Sequence, residues 1–523
     1  MTARRPSGEP LSQHVPDAAP IVRRAVDPPA RPHGGVTVRE ALRDPRRLRV
    51  EVLAGLVVAV ALIPEAIAFS IIAGVDPRVG LFASFTMAVS IAFLGGRPAM
   101  ISAATGAVAL VIAPLVRSHG LDHLVVAVVL GGVLQVVLGL LGVARLMRFL
   151  PRSVMVGFVN ALAILIFTSQ LQYLVDVPWV VYPMVAVGIA VIVLLPRLTS
   201  AVPSPLVAIA ALTGFVVAAG IAVPDVGDEG ALPDTLPTLF LPDVPWTLET
   251  LQVVAPYALA IAVVGLLESL MTAKLVDDVT DSGSSKTREA WGQGGANIVT
   301  GLFGGMGGCA MIGQTMINVK VSGARTRIST FLAGVFVLLL VVVLGDVVAI
   351  IPMAALVAVM VMVAVGTFDW HSVRPATLRR MPRSETLVMV ATVAVTVATH
   401  NLAYGVGVGV LVAMTLFARR VAHLAEVDRL PSDDDGVARY AVRGQLFFAS
   451  SNDLVHQFDY AGDPARVVVD LSGAQVWDAS TVATMDAVES RYAARGTHVT
   501  FEGLDAQSAA RHRRLAGHLG GGH

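Results

Sequence analysis

Between residues 53 and 416 the chain is a succession of apolar runs, most of them long enough to cross a bilayer, separated by short polar turns. A hydrocarbon core offers no water to unpaired backbone groups. A chain that dwells there must be helical, or must find buried partners for every peptide group it leaves outside a helix. At about 20 residues per crossing, the runs divide into about fourteen segments, roughly 52–73, 78–95, 100–116, 121–144, 150–174, 178–196, 203–223, 251–274, 289–304, 309–319, 328–347, 349–366, 384–400 and 403–419. The ninth and tenth are the weakest by hydropathy. Composition agrees with this class: 55% of residues are hydrophobic and 15% charged, against roughly 45–50% and about 25% in a soluble domain.

The basic residues test the count, because cytoplasmic loops collect Arg and Lys. With the N-terminus inside, the even-numbered loops hold Arg97, then Arg145, Arg148 and Arg152, then Arg197, Lys274, Lys286 and Arg288, Lys320, Arg325 and Arg327, and Arg374 to Arg383. The longest outside loop, 223–252, has no Lys or Arg and six acids, and the outside exceptions are Arg78 and Arg117. The expected topology is an even number of spans in the cell membrane, with both termini cytoplasmic.

Residues 1–48 read as a disordered basic arm rich in Arg, Pro and Gly, with a short amphipathic helix around 36–48. The membrane-spanning domain is expected over 49–420, in halves of about 50–223 and 251–420, followed by a linker at about 421–436. After Arg420 the composition becomes that of a soluble protein. Strand-like 440–450, a turn or helix at 454–460, the buried strand 466–472, a helical 478–495, the strand 498–501 and a final helix from Ala506 predict a small α/β domain over about 437–516, and 517–523 is expected to fray. The formal net charge of +0 gives no field for nucleic acid, and the single cysteine, Cys309, excludes an intrachain disulfide and a cysteine metal cage. No phosphate loop, metal-ligand cluster or nucleophile-base pattern is present, so neither an enzyme nor a bound cofactor or metal is expected.

Two features inside the apolar region call for an explanation. The first is an intramembrane acid, Glu268, in AIAVVGLLESLMTAKL, with Thr272 one helical turn on. An acid at such depth costs about 2.5–3.5 kcal/mol unless it faces a cavity or a partner. It can coordinate a hard cation through oxygen, with Thr272 as a second ligand. It can instead carry a proton, since a buried carboxyl holds its proton more tightly. Or it can serve as a structural group bonded to irregular backbone nearby. Glu65, which follows Pro64, is a weaker candidate for the same roles. The second feature is the run GLFGGMGGCAMIGQT at 301–315, with a partner in FLGGRPAMISAATG at 93–106. Clustered glycine favours unwound backbone. Two half-helices whose N-termini converge at mid-membrane would aim N–H groups and positive dipole ends at one point, and so hold an anion without a fixed cation. Close helix packing through small residues is the alternative. Cys309 and Gln314 are further residues of this run that could line a pocket.

Laying the first span on the eighth puts AVALIPEAIAF against AVVGLLESLMT, Glu65 opposite Glu268, and the AMI tripeptides at 99–101 and 310–312 suggest a second match. If span one answers span eight, each half has seven spans. An odd number inverts the second half relative to the first.

The stretches GLVVAVALIPEAIAFS, PAMISAATGAVALV, GLLESLMTAK, GQGGANIVTGLFGGMGG and INVKVSGARTRIS resemble the sulfate permease (SulP) family of anion transporters. The tail VVVDLSGAQVWDAST resembles the family's STAS domain. The resemblance runs over about 39–510 and implies an all-α membrane domain of two inverted sets of seven segments, a core part and a gate part, with segments three and ten broken. It implies secondary transport of a small inorganic anion by elevator-like alternating access, a homodimer in the lipid bilayer, and an anion site faced by Ala104, Thr105, Ala310 and Met311. Glu268 and Thr272 would occupy the coupling-ion site. Sodium-coupled relatives among the bicarbonate transporters carry a shorter acid at the position of Glu268, and a threonine in the run that here reads Ala310, Met311 and Ile312. Bacterial members that keep a glutamate are proton-coupled, so a coupling proton ranks before sodium. Dicarboxylate carriage and anion exchange are alternatives of the same fold, and a membrane-tethered signalling protein is a remote one. In the tail, Ser480 falls near the serine that regulatory relatives phosphorylate, although a plain helix N-cap beside Asp478 explains it as well.

Overall fold

The structure, a computed structural model, describes residues 37–518 apart from 146–149, 199–202, 234, 423–424 and 433–435. Most of the expected arm, and the tail from 519, lie outside the described residues. The described part of the arm is helical. Thr37 and Glu40 close a reciprocal capping box over α1 (Val38–Arg43), and Asp44 then caps α2 (Pro45–Ala73), with Pro45 at its first position. The first span therefore begins several residues before the sequence reading placed it, and the helix expected around 36–48 divides between α1 and the start of α2.

The first half continues through α3 (Pro77–Leu94), the two-residue strand β1 (Ser102–Ala103), α4 (Gly106–Leu140), α5 (Arg152–Gln170), α6 (Val181–Leu198) and α7 (Ser204–Ala219). Gly120, at φ 76 and ψ −170, breaks α4, so what runs as one helix makes two segments, as expected. The second half holds α8 (Leu248–Thr280), α9 (Lys286–Leu302), strand β2 (Cys309–Ala310), α10 (Ile312–Met316) continued as a π turn to Val321, α11 (Arg327–Val343), α12 (Gly345–Ala349), α13 (Met353–Thr367), α14 (Pro375–Arg380), α15 (Arg383–Thr399) and α16 (Leu402–Ala422). The twelfth segment starts later than expected because Pro352 cannot continue a helix and instead precedes one. Among the described residues, seven helices are long and apolar enough to cross a membrane, and shorter apolar helices accompany them.

The helices pack in two groups. Helices α2, α3, α4, α8, α9 and α11 pack on one another, and α5, α6, α7, α13, α15 and α16 form the other set. One cross-helix contact ties the first group together: Glu51 of α2 accepts from the backbone N–H of Arg325 at 2.8 Å, Thr326 at 2.9 Å and Ser329 at 3.2 Å, and so caps α11 with a buried carboxylate.

At the centre, β1 and β2 cross antiparallel, Ser102 opposite Ala310 and Ala103 opposite Cys309. Gly106 and Ile312 each begin their helix three residues after the Ala103–Cys309 pair, which puts a pseudo-two-fold axis at that pair and fits the inverted repeat. The AMI tripeptides are not its equivalents. The first precedes the paired residue and the second follows it, so that match was a coincidence of apolar strings.

The tail is a four-stranded sheet, β3 (Glu426–Leu430), β4 (Val437–Leu446), β5 (Arg466–Val476) and β6 (His498–Glu502) in that order, with α17 (Phe448–Leu454), α18 (Ala479–Ala493) and α19 (Ala506–Leu515). The β3–β4 pair is antiparallel and the others are parallel. The sheet therefore starts inside the stretch read as linker. Buried Asp463 explains why: it accepts from Tyr440 at 2.8 Å and Tyr492 at 2.6 Å, and pairs with Arg429 of β3 at 2.9 Å. Burial, and then the Asp463 carboxylate, push the Tyr492 phenol far above its ordinary range. Helix α17 also lies earlier than the turn or helix expected at 454–460.

A Cβ on Gly308 would strike the Ala103 carbonyl oxygen, a backbone atom, and could be accommodated only by parting the strands. Gly308→Ala is expected to cost ~3 kcal/mol or more and to remove most folded protein in a fluorescence size-exclusion assay. Gly214→Ala, in α7 with open space at Cβ, is expected to be neutral or to stabilise by roughly 0.5–1 kcal/mol.

Candidate functional site

Unwound backbone inside a membrane domain must be answered by buried side chains, and the flanking helices supply them. Asn297 of α9 donates to the Gly308 carbonyl at 3.0 Å and accepts from its N–H at 2.9 Å. Its Nδ2 also reaches Gln135 of α4 at 2.9 Å. Ser269 accepts from Ala310 N–H at 3.1 Å, Ser84 from Ala104 N–H at 3.3 Å and Thr315 from Ile101 N–H at 3.0 Å. Gln293 donates to Ser102 Oγ at 2.7 Å, and Asn318 to the Ala99 carbonyl at 2.8 Å.

So held, the two helix starts open on one cavity of about 480 Å³. Thr105, Gly106, Met311, Ile312, Gly313 and Gln314 line it from the broken helices. Glu65 and Phe69 line it from α2, Glu268 from α8, and Phe158, Leu162, Ile166, Val363, Gly366 and Thr367 from the second helix group. The cavity thus lies between the two groups, and no Lys or Arg is among its lining residues. Thr105 caps α4, accepting from Val108 N–H at 3.4 Å. Met311 gives no side-chain cap to α10. First-turn N–H groups have no intrahelical partner; with that of Val108 taken by Thr105, those of Gly106, Ala107, Ile312 and Gly313 remain as donors at residues that line the cavity. Gln314, 3% exposed, lies beside Glu65, and its Nε2 meets no acceptor at full hydrogen-bond geometry among the described residues.

Of the residues expected to face an anion, Thr105 and Met311 line the cavity. Ala104 and Ala310 do not: at 1% and 0% exposure they pack behind it, with their N–H groups taken by Ser84 and Ser269. Glu268 and Glu65 both line it. Thr272 does not. Its hydroxyl, expected as a second cation ligand beside the Glu268 carboxyl, instead donates back to the Glu268 carbonyl at 2.8 Å, with Ala310 O at 3.4 Å. Cys309 takes that place, its Sγ 2.9 Å from Glu268 Oε2 and 3.1 Å from Thr105 Oγ1. Ser480 is exposed at the second position of α18, and Asp478, not Ser480, is the N-cap, accepting from Thr481 N–H at 3.0 Å. Sequence reasoning missed the apolar wall. Phe69, one turn after Glu65 on the same helix face, was within reach of it, but the α5 and α13 residues carry no local signal.

The model of the Sulfate permease family matches residues 48–182 and 176–392. The chain belongs to the sulfate permease family. A permease provisionally named the sulfate transporter YbaR, from Bacillus subtilis, is 51% identical over 469 residues, covering 90% of this chain and 97% of that one. The bicarbonate transporter BicA of Picosynechococcus is 27% identical over 82% of this chain and 83% of its own. In fold, the permease is similar to the murine Slc26a9 anion transporter in its inward-facing state, with a TM-score of 0.77 at 18% identity, over 89% of this chain and 87% of that one.

Gly313 lines the cavity with open space at its Cβ, whereas Ala310 is fully enclosed. Gly313→Phe is therefore expected to leave thermal stability near wild type and to reduce anion uptake at least about tenfold, while Ala310→Phe is expected to cost ~1–3 kcal/mol of stability. Melting curves and proteoliposome uptake on both variants separate a filled cavity from a damaged fold.

Proposed function

We propose that this permease is a multi-pass membrane carrier that moves a small inorganic anion, sulfate or bicarbonate, together with a proton, by elevator-like alternating access. The observation that carries the reading is one cavity into which two helix N-termini and a buried carboxyl, Glu268, all point, without a fixed cation. Helix dipoles and free N–H groups favour negative charge there. An ionised Glu268 in the same cavity repels it, by roughly 4 kcal/mol at 4 Å and an effective dielectric constant of about 20. The anion is therefore held well only when the carboxyl carries a proton, and that is the condition for symport. Names borne by relatives, sulfate for YbaR and bicarbonate for BicA, supply the substrate class.

The elevator step is supported by the division into two helix groups with the cavity between them. In this reading the group holding α4, α8 and α9 carries the site past the group holding α5 and α13. Anion contact comes from Thr105, Met311 and the amides of Gly106 and Gly313, and Glu65 and Gln314 line the cavity beside them. The loop charges support cytoplasmic termini for a carrier of the cell membrane, and the family resemblance supports a homodimer. Sodium coupling has less support. The nearest side-chain partner of the Glu268 carboxyl is a thiol, a poor ligand for a hard cation, and Thr272 turns its hydroxyl back to its own helix.

Proteoliposome uptake across a panel of anions, with proton and sodium gradients imposed separately, tests the reading. Wild type should accumulate labelled sulfate or bicarbonate under an inward proton gradient, and Glu268→Gln should lose that acceleration. Gradient-driven uptake in Glu268→Gln equal to wild type would remove the carboxyl from coupling, and acceleration by sodium alone would replace the proton.

A further inference from the structure

The sulfur of Cys309 stands between the two groups that a proton-coupled cycle must connect. Sγ is 2.9 Å from Glu268 Oε2 and 3.1 Å from Thr105 Oγ1. Thr105 and Glu268 line the cavity, and Cys309 is fully buried behind them. Thr105 Oγ1 accepts from Val108 N–H on its helix side, which leaves one acceptor site and its own hydrogen for the rest of the chain. A separate observation marks the cavity as a place for a ligand: Gln314, buried and lining it beside Glu65, has an Nε2 that meets no acceptor at full hydrogen-bond geometry among the described residues.

The donors in this chain can point in either of two directions. A thiol has one hydrogen to give and can weakly accept another, and an ionised carboxylate only accepts. With Glu268 ionised, the Cys309 S–H donates to the carboxylate and Thr105 donates its hydrogen to the sulfur. The hydroxyl then offers no donor to the cavity. With Glu268 protonated, the carboxyl O–H donates to Sγ, the S–H turns to Thr105 Oγ1, and the Thr105 hydrogen is released toward the cavity. The only bond to hydrogen that forms is on the carboxylate, and its proton comes from the coupling gradient.

We propose that Cys309 is a positioning residue that reverses the Thr105–Cys309–Glu268 hydrogen-bond chain when Glu268 takes a proton, so that the Thr105 hydroxyl is presented to the anion in the protonated state. This rests on the proton-coupled reading above. The titratable groups near Glu268 on other elements are Cys309 on β2, in contact with it, and Glu65 of α2, which lines the same cavity. Helix α4 brings Gln135 and α9 brings Asn297, and Glu289 of α9 is engaged by Gln293 and the Gly96 and Arg97 amides. Lys320 after α10, and Arg419 and Arg420 of α16, are exposed. On α8 the next charges, Lys274 and Asp277, lie roughly two turns further on.

Cys309 is the only cysteine of the chain, so its S–H stretch is a single infrared band of the full-length protein in liposomes. On acidification the band should move as the Glu268 acid carbonyl band appears, and in Glu268→Gln it should stay in place. A wild-type S–H band that does not move while the acid carbonyl appears overturns the proposal. In parallel, the KM for labelled sulfate and labelled bicarbonate is measured against pH. Cys309→Ser, which keeps a donor and an acceptor, should retain the wild-type dependence, and Cys309→Ala should lose on the order of fivefold or more of it. A Cys309→Ala profile matching wild type also overturns the proposal. If Cys309→Ala does not fold, the infrared result and Cys309→Ser decide. A moving band in a wild type without proton-driven uptake would leave the chain reversal standing and sink the coupled-transport reading.

Discussion

The fold depends on how the peptide groups around the Ala103–Cys309 pair are satisfied. Two extended stretches at membrane depth expose N–H and C=O groups that neither helix nor water can serve. Asn297 answers both polar groups of Gly308, Ser269 and Ser84 take the two alanine amides, and Thr315 takes Ile101. Each of these donors or acceptors sits on a helix of the first group or on the other broken helix. The same bonds that make the irregular backbone tolerable also fix the two helix starts relative to each other. A charge site made of backbone amides requires that rigidity, because its donors cannot rotate to find a ligand as side chains do.

Glycine is what lets the stretches approach. At Gly308 any side chain would strike the Ala103 carbonyl, and at Gly307 the backbone takes φ 77, which L side chains rarely adopt. The glycine-rich run is thus required twice, by contact and by conformation. Its apolar companions, Met311 and Ile312, then close the cavity without adding a cation. The electrostatics follow from that choice: dipoles favour an anion, an ionised Glu268 would oppose it, and the proposed proton coupling rests on that balance.

Much of this was legible in the sequence because the constraints are local. Apolar run length, loop charge and clustered glycine are read directly, and they placed the segments, the broken helices and both intramembrane acids. The details that failed depend on distances across the fold. Ala104 and Ala310 were placed at the anion by position along the chain, but strand geometry turns them behind Thr105 and Met311. Thr272 was set beside the Glu268 carboxyl by helical spacing as a second cation ligand, and the tendency of threonine to bond the carbonyl four residues back turns its hydroxyl to its own helix. The AMI match failed because short apolar strings coincide easily. The start of the tail was put too late because β3 is short and largely exposed, and its bond to Asp463 comes from a loop far along the chain.

The central claim is that the anion rests between the two helix starts. A structure of the protein soaked with selenate, a sulfate mimic whose selenium scatters anomalously, tests it most directly. The account predicts one anomalous peak in the cavity, within hydrogen-bond reach of the Gly106 and Gly313 amides and the Thr105 hydroxyl. A cavity left empty, with selenate bound at full occupancy elsewhere in the membrane domain, would contradict it.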